Sequence, residues 1–142
     1  MPGSDNFFTI EKLKELVKFY QEDKNGKRSP AESHKSANAI LVMECGVAGT
    51  GHIPDIEPRL TGIEPGSPVF FSREYFNDYD DLAIAVNNAD GEKIGYIPRR
   101  KNEAIARLMD AGKDFCGEVM DIWYPESDNW VNIIIRIYLC NP

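Results

Sequence analysis

The apolar and polar positions divide the chain unequally. Residues 7–20 set Ile10, Leu13, Leu16, Val17 and Tyr20 at helical spacing, with Lys and Glu on the opposite side. Thr9 stands where a cap is wanted, and Phe8 and Leu13 occupy the two positions of a hydrophobic staple. Residues 21–37 hold no apolar side chain larger than alanine and include Gly26 and Pro30, the composition of a linker. The expected organisation is an amphipathic helical extension over 1–22, a polar linker over 23–37 and one domain over 38–142.

From Ala39 onward the pattern changes to short β-type runs separated by turns, at 39–48, 68–73, 82–88, 92–97, 115–124 and 130–139. Asn88-Ala89-Asp90-Gly91 predicts a hairpin between the third and fourth, because Gly91 supplies the positive φ that such a turn needs. One helix interrupts the series over 103–111. Asn102 is its expected cap, Ile105, Leu108 and Met109 share its apolar face, and Gly112 ends it. In the last strand Val131, Ile133, Ile135, Ile137 and Leu139 alternate toward a core, while Trp130, Asn132, Ile134, Arg136 and Tyr138 share the other face. That second face either stacks bases or covers the barrel beneath the N-terminal helix. The predicted fold class is mainly β, a small barrel or sandwich with little helix.

Charge narrows the function. Sixteen Lys and Arg against 23 Asp and Glu give a net charge of −7 over 142 residues, which excludes a generally basic coat for nucleic acid. Any nucleic-acid site is therefore local. The longest apolar run, residues 39–43, is far short of the roughly 20 residues a membrane helix needs. No membrane partner is expected, and the N-terminus has neither a basic segment nor an apolar one after it, so a cytoplasmic location is expected. Cys45, Cys116 and Cys140 are odd in number and lack C-x-x-C spacing, which reads as buried reduced thiols and no structural zinc.

Candidate chemistry is sparse. Residues 46–52, Gly-Val-Ala-Gly-Thr-Gly-His, form a glycine-rich loop, but no Gly-Lys-Ser/Thr follows and Pro54 obstructs an immediate helix. The glycines are better read as a bend or a close backbone approach. Glu74, Asp78, Asp80 and Asp81 cluster, yet the calcium-loop template fails, with no glycine at the sixth position from Asp78 and Ala89 at the twelfth. Neither His34 nor His52 adjoins a nucleophile motif, so no enzyme, no metal and no cofactor is expected. Residues 97–101, Ile-Pro-Arg-Arg-Lys, make a cationic turn able to hold a few phosphates through Arg99 and Arg100.

Four blocks in order carry a resemblance: Val47-Ala48-Gly49-Thr50, Phe70-Phe71-Ser72-Arg73-Glu74, the run from Asn77 through Tyr79-Asp80 to Val86, and Lys93-Ile94-Gly95-Tyr96-Ile97-Pro98-Arg99. Together they resemble the HIRAN domain, a module of fork-remodelling Swi/Snf-type helicase-like proteins that also occurs as small free-standing bacterial proteins. The resemblance covers about residues 39–140. It implies an OB-like six-stranded β-barrel with two short helices, and capture of the 3′ end of single-stranded DNA in a repair or replication setting, with helicase or repair proteins as possible partners. By that resemblance Tyr79 stacks on the terminal base and Asp80 accepts a hydrogen bond from the 3′-hydroxyl, with Asn77 beside them. Arg99 lies near the phosphates, Tyr96 takes a position that is histidine in the DNA-binding prototype, and Trp130 matches a further stacking aromatic.

The sequence departs from that prototype in the first loop, where Gly51-His52 replaces an Arg-Tyr pair, and at Phe76, which replaces an amide. One phosphate-binding guanidinium is thereby missing, while His52 keeps a π-face for stacking. The site expected from all this comprises Gly49, His52, Asn77, Tyr79, Asp80, Tyr96, Arg99, Arg100 and Trp130. The alternative is a protein-interaction module that keeps the barrel without affinity for DNA. Salt dependence and sensitivity to Tyr79 separate the two.

Overall fold

The structure is a computed structural model that describes residues 38–125 and 130–140. The helix and linker expected over 1–37 lie outside the described residues. Each of the six β-type runs is a strand: β1 (Ile40–Gly46), β2 (Pro68–Arg73), β3 (Ile84–Asn87), β4 (Lys93–Tyr96), β5 (Phe115–Trp123) and β6 (Asn132–Leu139). They form one antiparallel sheet in the order β1-β6-β5-β2-β3-β4. The sheet curls into a half-barrel, and beyond the end of β1 its two edges meet at one bridge. There Ala48 and Tyr96 exchange two hydrogen bonds of 2.8 Å.

The core follows the alternation of β6. Ile133, Ile135 and Ile137 are fully buried and share one core cluster with Ile84, Val86, Ile94, Ile97 and Val119. The opposite face of β6 is not an open stacking surface along its length. Arg136 lies across from Glu44 on one side and Glu118 on the other, and Glu44 accepts its hydrogen bond at 2.7 Å. Tyr138 is fully buried, with its hydroxyl donating to Glu118 at 2.8 Å. Sheet register thus consumes both the guanidinium and the phenol in pairing. Only the start of that face, at Trp130, remains exposed.

Two short α-helices accompany the sheet, α1 (Ile56–Arg59) and α2 (Glu103–Asp110). The hydrophobic pattern alone anticipated only α2. Pro54 delays α1, which starts after Asp55 turns the chain in the left-handed region at φ 52°. Two expectations for α2 need correction. Asn102 precedes the helix but makes no side-chain cap, because its amide points at Asp80 instead. Leu108 is exposed, and the helix buries Ile105 and Ala106, with Met109 packed partly against the core. Gly112, at φ 100°, ends the helix as expected, with Lys113 N–H donating to Leu108 O at 2.9 Å.

The hairpin between β3 and β4 turns at Gly91, φ 82°, and the side-chain Oδ1 of Asn88 accepts from the backbone N–H groups of Asp90 and Glu92, both at 2.9 Å. The reading of three reduced cysteines is also corrected. Cys116 and Cys140 form a disulfide, 24 residues apart in sequence, while Cys45 is free and buried. The pairing of β5 with β6 sets Cys116 opposite Tyr138, close to Cys140, a proximity that sequence spacing does not reveal.

Candidate nucleic-acid interface

The closing bridge organises one end of the half-barrel. Past β1 the chain turns at Gly49 (φ 75°) into a short 3-10 turn, Thr50–His52. Buried Thr50 donates its hydroxyl to Val131 O at 3.1 Å, tying the loop to the start of β6. A Cβ on Gly51 would lie 2.5 Å from the Trp130 indole, so the ring packs directly on the loop backbone. His52 adjoins the same ring, with centroids 6.0 Å apart and planes inclined at 59°. The glycine-rich loop is therefore a close-approach device, and it brings His52 and Trp130 together. Both side chains are exposed.

Across the bridge, Tyr96 lies beside Gly49, whose Cβ would be 3.6 Å from the ring. The Tyr96 hydroxyl is committed: it donates to Glu74 Oε1 at 2.8 Å and accepts from Lys93 Nζ at 2.7 Å. Lys93 also donates to Glu74 Oε2 at 2.7 Å. Burial pushes the Glu74 carboxyl up, but hydrogen bonds from Lys93, Asn77 and Tyr96 outweigh it and leave the group below its ordinary value. Burial pulls Lys93 down, and its bonds to Glu74 and Tyr96 more than reverse that. A cation–carboxylate–phenol network thus ties β4 to the end of β2.

That network reaches the proposed reading residues through Asn77. Its amide nitrogen donates to Glu74 Oε1 at 3.1 Å, and its oxygen accepts from the backbone N–H groups of Tyr79 at 2.8 Å and Asp80 at 3.0 Å. An asparagine serves here because its short side chain offers a donor and an acceptor at one tip. Asp80 accepts from Leu82 N–H on Oδ1 and from Asn102 Nδ2 on Oδ2, both at 2.9 Å. Each carboxylate oxygen keeps capacity for a further donor. Tyr79 is 85% exposed with its ring toward solvent. Arg73 buttresses the loop, forking onto both Asp110 oxygens at 2.9 and 3.2 Å and donating to Ala83 O at 2.8 Å.

Of the nine expected site residues, Asn77, Tyr79 and Asp80 share one clamp, and His52 and Trp130 form a ring pair. Gly49 and Tyr96 link these two groups at the bridge. Arg99 and Arg100 lie exposed on the 3-10 turn Arg99–Lys101, just before Asn102, and neither enters an ion pair among the described residues. The positioning roles of Glu74, Lys93 and Asn102 were not legible from the sequence, since each depends on a partner more than 18 residues away. Among the described residues no group of three His, Cys, Asp or Glu is placed to hold a metal ion.

Tyr96→Phe is expected to lower stability by about 1 kcal/mol, the loss of a hydrogen bond to a charged acceptor at a half-buried site. Because the Glu74 carboxyl lies below its ordinary value, its contribution is present at neutral pH. It is lost as pH falls from about 4.3, the unfolded value, through the lower folded value. Urea unfolding at pH 7 and pH 3 checks both points: the difference between wild type and Tyr96→Phe should shrink at pH 3.

This end of the molecule defines a class: a β half-barrel whose loops hold exposed aromatics, a clamped carboxylate and a short cationic turn. Residues 40–139 match the HIRAN domain, and the chain belongs to the HIRAN-domain family. Among curated proteins the Helicase-like transcription factor of Oryctolagus cuniculus is 33% identical over 60 residues, which is 42% of this chain and 6% of that protein. A crystal structure of a Lactobacillus plantarum protein superposes with a TM-score of 0.58 at 32% identity, covering 70% of this chain and 95% of that one. The crystal structure of the HIRAN domain of human HLTF superposes with a TM-score of 0.51 at 21% identity, covering 72% and 81%, a likeness of fold. No described helix is long and apolar enough to cross a membrane.

Proposed function

We propose that this end of the half-barrel binds the 3′ end of single-stranded DNA. The observation that carries the reading is the Asn77 clamp. One amide oxygen holds the N–H groups of both Tyr79 and Asp80, setting an exposed ring next to a carboxylate with spare acceptor capacity. Such a pair suits a terminal nucleotide, with the ring stacking on the base and Asp80 accepting a hydrogen bond from the hydroxyl that only a chain end offers. Stacking is worth about 1–3 kcal/mol per base, so an acidic protein can hold an end with few phosphate contacts. His52 and Trp130 add ring surface, and Arg99 and Arg100 steady the phosphates. Membership of the HIRAN-domain family supports the reading.

The module is a binder, with any motor or nuclease supplied by a partner such as a helicase or repair protein, and its place is the cytoplasm. A cysteine nucleophile fits this end poorly. The free thiol of Cys45 is buried, and burial, only partly offset by Lys101, pushes its pKa up to about 11.

Fluorescence anisotropy with one labelled sequence ending in a 3′-hydroxyl, a 3′-phosphate or a duplex tests the reading. Wild type should prefer the hydroxyl end by about tenfold, and Asp80→Ala should abolish that preference, as expected for a hydrogen bond to a charged group. Two neutralised phosphates give a slope of about −1.4 in log affinity against log salt on a single strand. No binding to any strand at low salt would instead favour the protein-interaction reading.

A further inference from the structure

The aromatic turn that carries Tyr79 holds another ring with no counterpart in the chemistry assigned so far. Asn77 N–H donates to Glu74 O at 3.2 Å, making Tyr75 and Phe76 the central residues of a tight turn. The two rings have different circumstances. Tyr75 is satisfied within the protein, stacked 4.5 Å under the Arg73 guanidinium and donating its hydroxyl to Asp110 at 2.9 Å. Phe76 is 97% exposed. A lone exposed apolar side chain has no meaning by itself. What distinguishes Phe76 is its backbone, held in a turn that is closed by the same asparagine that orients Tyr79 and Asp80, so little backbone freedom is lost when something stacks on the ring.

Resting on the end-binding reading above, we propose that Phe76 is a stacking platform for the base adjoining the terminal one. The site then takes an unpaired end at least two nucleotides long and favours a purine in its second position. Three residues of chain span at most about 11 Å, so a base on Phe76 belongs to a nucleotide close to the one on Tyr79. The charges nearby point to the base as the contacting part. Asp78 and Asp81 are exposed in the same loop and repel phosphates, whereas every base offers a π-face and a purine offers the larger one. A phenylalanine ring cannot hydrogen-bond, so it selects by stacking area alone.

The test is anisotropy on strands with a free 3′-hydroxyl, carrying an abasic nucleotide at the first, second or third position from the end, or a purine or pyrimidine at the second. Wild type should lose about tenfold in affinity when the second base is removed. Phe76→Ala should bind the intact strand about tenfold more weakly and become indifferent to the second base, with an unchanged melting temperature and an unchanged salt slope. Phe76→Trp should restore the second-base dependence. Equal binding by wild type and Phe76→Ala overturns the proposal alone, as does an equal loss on strands already lacking the second base. If wild type binds no strand at all, the end-binding reading falls and this proposal falls with it.

Discussion

Gly95→Ala is expected to open the half-barrel at its closing bridge and to lower stability by about 2–3 kcal/mol, the upper part of the range for overpacking a tight site. A Cβ at this position would overlap the Val47 side chain and lie 2.7 Å from Ala48 O. The second obstacle decides the size of the effect. A side chain can rotate away, but the Ala48 carbonyl is the acceptor for Tyr96 N–H, so relief requires breaking the bridge itself. At roughly 4–8 °C per kcal/mol for a domain of this size, the melting temperature should fall by about 10 °C or more. Because the bridge sets the 47–52 loop, any DNA affinity that depends on His52 and Trp130 should fall with it. Gly51→Ala is the informative contrast. Its Cβ meets the exposed Trp130 indole, which can swing outward, so stability should fall less while the His52–Trp130 pair is lost. A melting temperature for Gly95→Ala equal to wild type would show that the closing bridge does not need the glycine.

Asn102→Ala is expected to lower stability by about 1.5–3 kcal/mol, because it takes the donor from a carboxylate held in a partly buried position. Asn102 is 1% exposed, and its amide donates to Asp80 Oδ2 at 2.9 Å. The loss is not one of helix capping, since its side chain makes no cap on α2. Asn102→Ser separates the two explanations. Serine is a good capping residue but is too short to reach Asp80, so it should be as unstable as alanine. Urea unfolding of both variants checks this, and recovery of wild-type stability by serine would refute the Asp80 role. Both variants should also weaken binding of a free 3′-hydroxyl end, because Asp80 is then fixed only through its own turn.

These two positions mark where sequence reasoning reaches its limit. The six strands, the Gly91 hairpin and the Gly112 helix stop were legible because each rests on local physics: period-two burial, a positive φ and a missing Cβ. The four family blocks carry six of the nine candidate site residues, since they follow one another along the chain, while His52, Arg100 and Trp130 lie outside them. Asn102 was misread as a cap because an asparagine before an apolar helix face has that meaning locally. Its true partner lies 22 residues away across the end of the barrel. Cys116 and Cys140 were misread for an equivalent reason, and the sequence left two readings of the even face of β6 because its neighbours Glu44 and Glu118 come from other strands.

The sequence by itself determined the strand series, the β-rich class, the local character of any nucleic-acid site and the residues that could form one. Only the tertiary structure decided how those residues are held. Strand order sets β1 beside β6 and carries the chain on to the Ala48–Tyr96 bridge, and that closure places Gly51 under Trp130, Tyr96 on Glu74 and Asn102 on Asp80. Local propensity acts over a few residues, whereas these contacts join segments 22 to 81 residues apart, and they exist only once the burial of one shared core has drawn the strands together.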